Sequence, residues 1–190
     1  REIVKAQDDD IMIGIPHVLF HRSKMMREQC VNFYDKWGTR NAGLVVGAID
    51  IFKSYYDNGF TMLYANYYGV DCAAYFAKVR KIWDARDIAI ICGQTVFDKI
   101  ANNIFDNAKS IQYLYAPSQN AFAQYEDILK NAEKIDKSVL IIVILGPTAT
   151  VLAYDLAKKG YRALDLGHIA KDYDFYTRKD AKLTRFFAPD

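Results

Sequence analysis

Residues 140–168, LIIVILGPTATVLAYDLAKKGYRALDLGH, leave this chain little choice of fold. Residues 139–145 are apolar at every position, rich in β-branched side chains and too short for a buried helix, which is the pattern of a strand covered on both faces. The run stops at Gly146-Pro147, and Val151, Leu152, Asp155, Leu156 and Lys159 then recur at helical spacing. Thr148 or Thr150 is placed to cap that helix, and Gly160 to end it in the left-handed conformation that glycine adopts cheaply. Residues 161–166 return to strand character. A strand, tight turn, helix and strand in succession close with a right-handed crossover. That puts the 146–148 turn at the carboxyl end of a parallel sheet, the edge where open α/β sheets bind ligands.

The turn has the makings of an anion site. Gly146 lets a ligand approach the backbone, the unpaired amides of the first helical turn and the helix dipole favour a phosphate or diphosphate, and Thr148 and Thr150 add hydroxyl donors. It fits neither GxxxxGK[ST] nor GxGxxG, so it is not an ATPase P-loop or a dinucleotide fingerprint. A plain βα connection also uses a glycine and a capping threonine, so the turn by itself leaves both readings open.

The remainder extends the same architecture. A short strand is expected at residues 11–15 after a solvated turn at Asp8 to Asp10, then a helix over 19–36 ended by Gly38, and two helices near 44–56 and 71–83. A strand at 87–92 breaks at Gly93 into a helix starting near Thr95. A strand at 110–115, a break at Pro117 and a helix over 119–132 follow. Strands alternating with helices argue for a doubly wound, mostly parallel sheet with helices on both faces, in a single domain over residues 1–190.

Composition narrows the partners. Lys and Arg total 25 against 23 Asp and Glu, a net charge of +2, so the broad basic surface that nucleic acid demands is missing. No apolar run is long enough to span a bilayer, and the amino end has neither a signal-like hydrophobic region nor an initiator Met, which reads as a cytoplasmic chain starting inside an element. Cys30, Cys72 and Cys92 are odd in number and set in apolar contexts, as reduced thiols are. His17 and His21 lack an accompanying carboxylate or thiol and read as imidazoles at a helix start.

The segment after residue 166 carries the densest set of titratable groups: Asp165, His168, Asp172 and Asp174. If residues 161–166 lie beside the 139–145 strand, these side chains reach the same sheet edge as Gly146 and Thr148. A diphosphate site beside a histidine and carboxylates suits metal-assisted group transfer. Asp172-Tyr173-Asp174 has the DxD spacing of some metal sites, a pattern that solvated turns share.

Four stretches, RDIAIICGQ, PSQNAF, LGPTATVLAYDLAKKGYRALDLGHI and DYDFY, together resemble the GT-D type glycosyltransferases over about residues 11–176. The resemblance implies a Rossmann-like fold that binds a UDP-sugar with a divalent cation, Mn2+ or Mg2+, and transfers the sugar, glucose first, to a glycan or glycoprotein acceptor in bacterial surface glycosylation. It implies that Gly146, Pro147, Thr148, Thr150 and Asn120, with Gly93 at the equivalent turn, contact the nucleotide sugar. His168 would lie beside the diphosphate, and Asp174, ahead of Asp172, would be the carboxylate that deprotonates the acceptor. The chain departs from the family pattern at Ala170, where an acidic residue is usual, and at Asp174, where a Glu is usual. The family's Asp-x-Glu motif is absent from this chain; it is expected upstream of Arg1, so the metal ligands are unassigned. The alternative function is a nucleotide- or anion-binding module without catalysis. A homodimer is among the assemblies left open.

Overall fold

A computed structural model describes residues 2–180. Its centre is a four-stranded, all-parallel sheet of β3 (Asp87–Gly93), β4 (Ser110–Ala116), β5 (Leu140–Ile144) and β6 (Ala163–Asp165), in the spatial order β4-β3-β5-β6. β3 and β5 form its middle and are buried on both faces. Ile88, Ile90, Cys92, Leu140, Ile142 and Ile144 face one core, where they meet Phe76, Trp83, Phe105 and Ile169. The intervening Ala89, Ile91, Ile141 and Val143 face a second core under helices α5 (Tyr125–Ala132) and α6 (Pro147–Lys158). Burial of both sides of a strand is what an unbroken apolar run calls for.

From β3 the chain passes outward to β4, returns across β3 to β5, and continues to β6. The direction of winding therefore reverses between β3 and β5, whose carboxyl ends are Gly93 and Ile144. Connections on either side of such a reversal splay apart and leave a crevice. At the far end of α6, Gly160 is left-handed, with Tyr161 N–H donating to Leu156 O and Gly160 N–H to Ala157 O, the double closure expected of a glycine stop.

Several local expectations are revised. No helix starts near Thr95: residues 94–99 are consecutive turns, closed by Val96 N–H to Gly93 O, Asp98 N–H to Thr95 O and Ile100 N–H to Phe97 O. The short amino-terminal strand is only β1 (Gly14–Ile15), paired in parallel with β2 (Tyr56–Asp57) outside the main sheet. After a short α1 (Glu2–Lys5), the 19–36 helix is displaced to α2 (Glu28–Ala48). Residues 25–27 are held instead by the 64–68 segment: Arg27 N–H donates to Asn66 O, its Nε to Tyr64 O and Tyr67 O, and Tyr68 N–H donates to Met25 O. Cross-chain pairing overrides helical periodicity there. α2 then runs through Gly38, which costs about 1 kcal/mol relative to alanine, and absorbs the start of the expected 44–56 helix. The 71–83 expectation holds as α4 (Cys72–Val79), capped by the Asp71 carboxylate on Ala74 N–H, followed by a 3-10 turn at Arg80–Ile82. The 119–132 helix opens as a 3-10 turn (Ala121–Gln124) before α5.

Candidate functional site

Where the winding reverses, a cleft of ≈ 710 Å³ opens above the carboxyl ends of β3 and β5. That lies within the 300–1,000 Å³ span of small-molecule sites. Four segments wall it: the turns after β3 (Gly93, Thr95, Val96, Lys99), the loop after β4 (residues 117–122), the turn into α6 (Gly146, Pro147, Thr148), and the start and inner face of α7 (Ile169–Thr177).

Gly146 precedes α6 with φ 53° and ψ −144°, a region open essentially to glycine. A Cβ placed on it would touch nothing within 4 Å, so backbone conformation, not crowding, requires the glycine. Pro147 takes the first helical position, where its missing N–H costs nothing. Neither Thr148 nor Thr150 caps α6, because Gly146 itself is the cap. Thr148 is buried and lines the cleft; Thr150 turns away and donates to Asp165 Oδ2 at 2.7 Å, tying α6 to the β6 end. Gly93 answers a different demand: a Cβ there would lie 2.9 Å from Ser118 Oγ and 3.0 Å from Ser118 Cα, so the glycine lets the turn after β3 and the loop after β4 close together. Asn120, left-handed at φ 52°, is where the latter loop bends into the cleft. Left-handed backbone is a conformation asparagine tolerates.

The α7 helix supplies most of the charge. His168, at its amino cap, Lys171, Asp174 and Arg178 all line the cleft. With Lys99 from the β3 turn, three basic side chains and one carboxylate line the cleft. Asp174 is 1% exposed and fully engaged. Its Oδ1 accepts from Ala101 N–H (3.1 Å), Asn102 N–H (3.0 Å) and Asn102 Nδ2 (3.0 Å), and its Oδ2 pairs with Arg178 Nη2 at 2.8 Å. It anchors the turn at 101–102 and holds Arg178 at the cleft.

Asp172 is not brought to this site. Two residues along a helix is a rotation of about 200°, so the DxD pair points to opposite sides. Asp172 is fully buried against α3 (Leu63–Asn66), where its oxygens accept from Tyr64 N–H (3.0 Å) and Ala65 N–H (2.8 Å). Burial pushes its carboxyl up to about 7, against the pull of those amides and of the Arg27 charge. Asp172 lines no part of the cleft and ties the segment at Tyr64 and Ala65 to α7.

Nor do the described residues bring three or more His, Cys, Asp or Glu side chains together to hold a metal ion. Cys30, Cys72 and Cys92 are free and buried, with burial raising each thiol above its ordinary range, so they are unreactive packing groups. His17 and His21 sit ring to ring, 5.3 Å apart, and line no part of the cleft. No helix among the described residues is long and apolar enough to cross a membrane. Lys99, Lys171 and Arg178 escaped sequence reasoning. The available signal was the helical spacing 171, 174/175, 178, which puts one stripe of side chains on one face.

The chain is 42% identical over 104 residues to the "Probable glycosyl transferase Gly" of Streptococcus gordonii, covering 55% of this chain and 15% of that protein. It is 40% identical over 102 residues to "Glycosyltransferase GlyD" of Streptococcus pneumoniae serotype 4, covering 54% and 12%. Among solved structures, the domain of unknown function 1792, described as having a distinct glycosyltransferase fold, superposes with a TM-score of 0.86 at 32% identity, over 94% of this chain and 64% of that one. A further one, "A New Glycosyltransferase (DUF1792) from Streptococcus sanguinis", gives 0.85 at 29% identity, over 94% and 67%. The chain thus spans a small part of the curated relatives it matches and about two thirds of the solved ones. The model of the family described as "Glycosyltransferase GT-D fold" matches residues 1–186, and the chain belongs to that family.

Proposed function

We propose that this chain carries the donor site of a bacterial glycosyltransferase, which moves a sugar, glucose in the first instance, from a UDP-sugar to a hydroxyl of a glycan or glycoprotein in surface glycosylation. The observation that carries the proposal is the cleft itself: in a member of the GT-D family, Lys99, Lys171 and Arg178 converge where the amino end of α6 opens. The strand order, reversing beside β3, supports reading the sheet as a Rossmann-like, doubly wound one with its ligand at the reversal.

As the bond from the anomeric carbon to the diphosphate breaks, negative charge gathers on the departing UDP. Fixed cations and the positive end of the α6 dipole are suited to take up that charge. His168 at the head of α7 is positioned to hydrogen-bond the diphosphate, and Phe122, 59% exposed in the cleft wall, offers a ring face to the uracil. Asp174 serves by positioning Arg178. Among the described residues, no three His, Cys, Asp or Glu side chains come together as a ligand set for Mn2+ or Mg2+. A cytoplasmic location is part of the same proposal.

Calorimetric titration of UDP and UDP-glucose, with and without Mn2+, followed by measurement of UDP release from UDP-glucose, tests this. Saturable binding that is weakened in Arg178→Ala and in Thr148→Val supports the donor site. Binding without any release of UDP, with or without acceptor, would leave a non-catalytic nucleotide module. No uridine nucleotide binding under any condition would sink the proposal.

A further inference from the structure

The two helices that flank the cleft, α6 and α7, are joined near their amino ends by one carboxylate that lines no part of it. Asp165 ends β6, the outermost strand on that side of the sheet. Its Oδ1 accepts from Gly167 N–H at 3.0 Å, and its Oδ2 accepts from Thr150 Oγ1 at 2.7 Å. The first bond is an Asx turn, a common way for an aspartate to shape the residues just after it. The second has no such local purpose, since Thr150 belongs to α6, fifteen positions earlier.

Each arm leads to a wall of the cleft. Gly167 lines the cleft and precedes His168, the amino cap of α7, whose carbonyl accepts from Asp172 N–H at 2.9 Å as that helix opens. The segment between is held by Leu166 N–H on Val143 O at 3.2 Å and by Ile169 N–H on Leu166 O at 3.0 Å. On the other arm, Thr150 lies one turn after Gly146 and Pro147, which line the cleft with the buried Thr148. A carboxylate offers one oxygen to each arm, so a single side chain sets how far the start of α6 lies from His168.

We infer that Asp165 is a positioning residue for the donor diphosphate, holding the amino end of α6 and His168 at a fixed separation so that both engage it together. This rests on the donor-site reading for the ligand; the tie between α6 and His168 is observable without it. Groups held in place before binding lose little freedom when the ligand arrives, and a misplacement of about 1 Å at a distant support can cost about 100-fold in turnover. Two substitutions separate the tie from the charge. Asparagine at 165 keeps both contacts, because its Oδ1 accepts from Gly167 N–H and its Nδ2 donates to the Thr150 hydroxyl, which also accepts. Alanine loses both. Neither carries the charge, so the difference between the two variants reads the hydrogen bonds alone. A control stands at the opposite end of the sheet, where Asp87, first residue of β3, accepts from Ser110 Oγ at 2.6 Å and pairs with Lys109 Nζ at 2.9 Å, away from the cleft.

The test uses the whole chain carrying ring-13C histidine, with the His168 signal identified by His168→Gln and with His17 and His21, which line no part of the cleft, as references. The His168 signal should move in Asp165→Ala, move in the same direction in Thr150→Val, and stay in place in Asp165→Asn. The double variant should move it no further than Asp165→Ala does, because both changes break one tie. In calorimetry, Asp165→Ala should bind UDP about tenfold more weakly than Asp165→Asn, Thr150→Val about threefold more weakly than the unaltered chain, and Asp87→Ala within about twofold of it. A His168 signal that coincides in Asp165→Ala and Asp165→Asn, or equal UDP affinity in those two, overturns the inference. If Asp165→Ala does not fold, Thr150→Val decides: an unmoved His168 signal or unaltered UDP affinity there overturns it. If the unaltered chain binds no UDP, the donor-site reading fails, and the His168 signals alone decide whether the tie stands.

Discussion

The role of Asp174 is decided by comparing two substitutions. In Asp174→Ala, the part-buried amides of Ala101 and Asn102 lose their acceptor, at about 1–3 kcal/mol each. The pair with Arg178 adds little, because that guanidinium is nearly half exposed and can rehydrate, an exposed pair being worth roughly 0–1 kcal/mol. The expected loss is about 4 kcal/mol, which for a chain of this size is about 8–16 °C in Tm. Asp174→Asn keeps an oxygen toward both amides and loses only the charge, so it should cost about half as much, charge-assisted bonds being roughly twice as strong as neutral ones. Chemical denaturation gives both values. The second readout is UDP release from UDP-glucose. A general base contributes about 10²–10⁴-fold, so its loss in Asp174→Asn would remove nearly all turnover at unchanged UDP affinity. Positioning of Arg178 instead predicts weaker UDP binding with turnover at saturation within about tenfold of the unaltered chain. An Asp174→Ala protein as stable as the original would refute the anchor. An Asp174→Asn protein that binds UDP normally and turns over a hundredfold slower or worse would restore Asp174 as the base.

Other outcomes follow from the same contacts. Gly146→Ala meets no atom within 4 Å but must hold a backbone conformation that side chains rarely adopt, so a loss of about 1–3 kcal/mol without a change in the rest of the core is expected from urea denaturation. Arg178→Ala should lower UDP affinity and flatten its salt dependence between low and moderate ionic strength in calorimetry, because a cleft cation is removed while the fold is kept. For Asp172, the folded carboxyl at about 7 lies above its ordinary 3.8, so the folded state holds the proton more tightly. That stability is complete below about pH 4 and is lost as pH rises toward 7, on the order of 4 kcal/mol in all. The Tm of the unaltered chain minus that of Asp172→Asn should therefore fall steadily from pH 5 to pH 7.5; a flat difference would rule the assignment out.

What was legible in the sequence depended on how local the cause was. β3 and β5 announce themselves because burial on both faces forces every position to be apolar, and Gly146 and Gly160 mark α6 because its two ends need backbone that glycine supplies. The turns at 94–102 carry no such mark. Their amides at Ala101 and Asn102 are satisfied by Asp174, more than seventy positions later, so a helix expected from local pattern gives way to a distant acceptor. Residues 25–27 show the same conflict, with Arg27 serving the carbonyls of Tyr64 and Tyr67 in place of an early helix. The site divides along this line too. Gly93, Asn120, Gly146 and Thr148 reach the cleft because they sit in connections at the reversal of the sheet, which topology alone dictates. Asp172 and Asp174 part company because the segment after Gly167 is a helix, not a turn: the spacing that would bring two carboxylates to one ion in a loop sends one into the cleft wall and the other into the core under Tyr64. Once α7 is known to be helical, Lys171 and Arg178 follow from rotation about its axis, and the cleft is better described by the cations it gathers than by the acids that first drew notice.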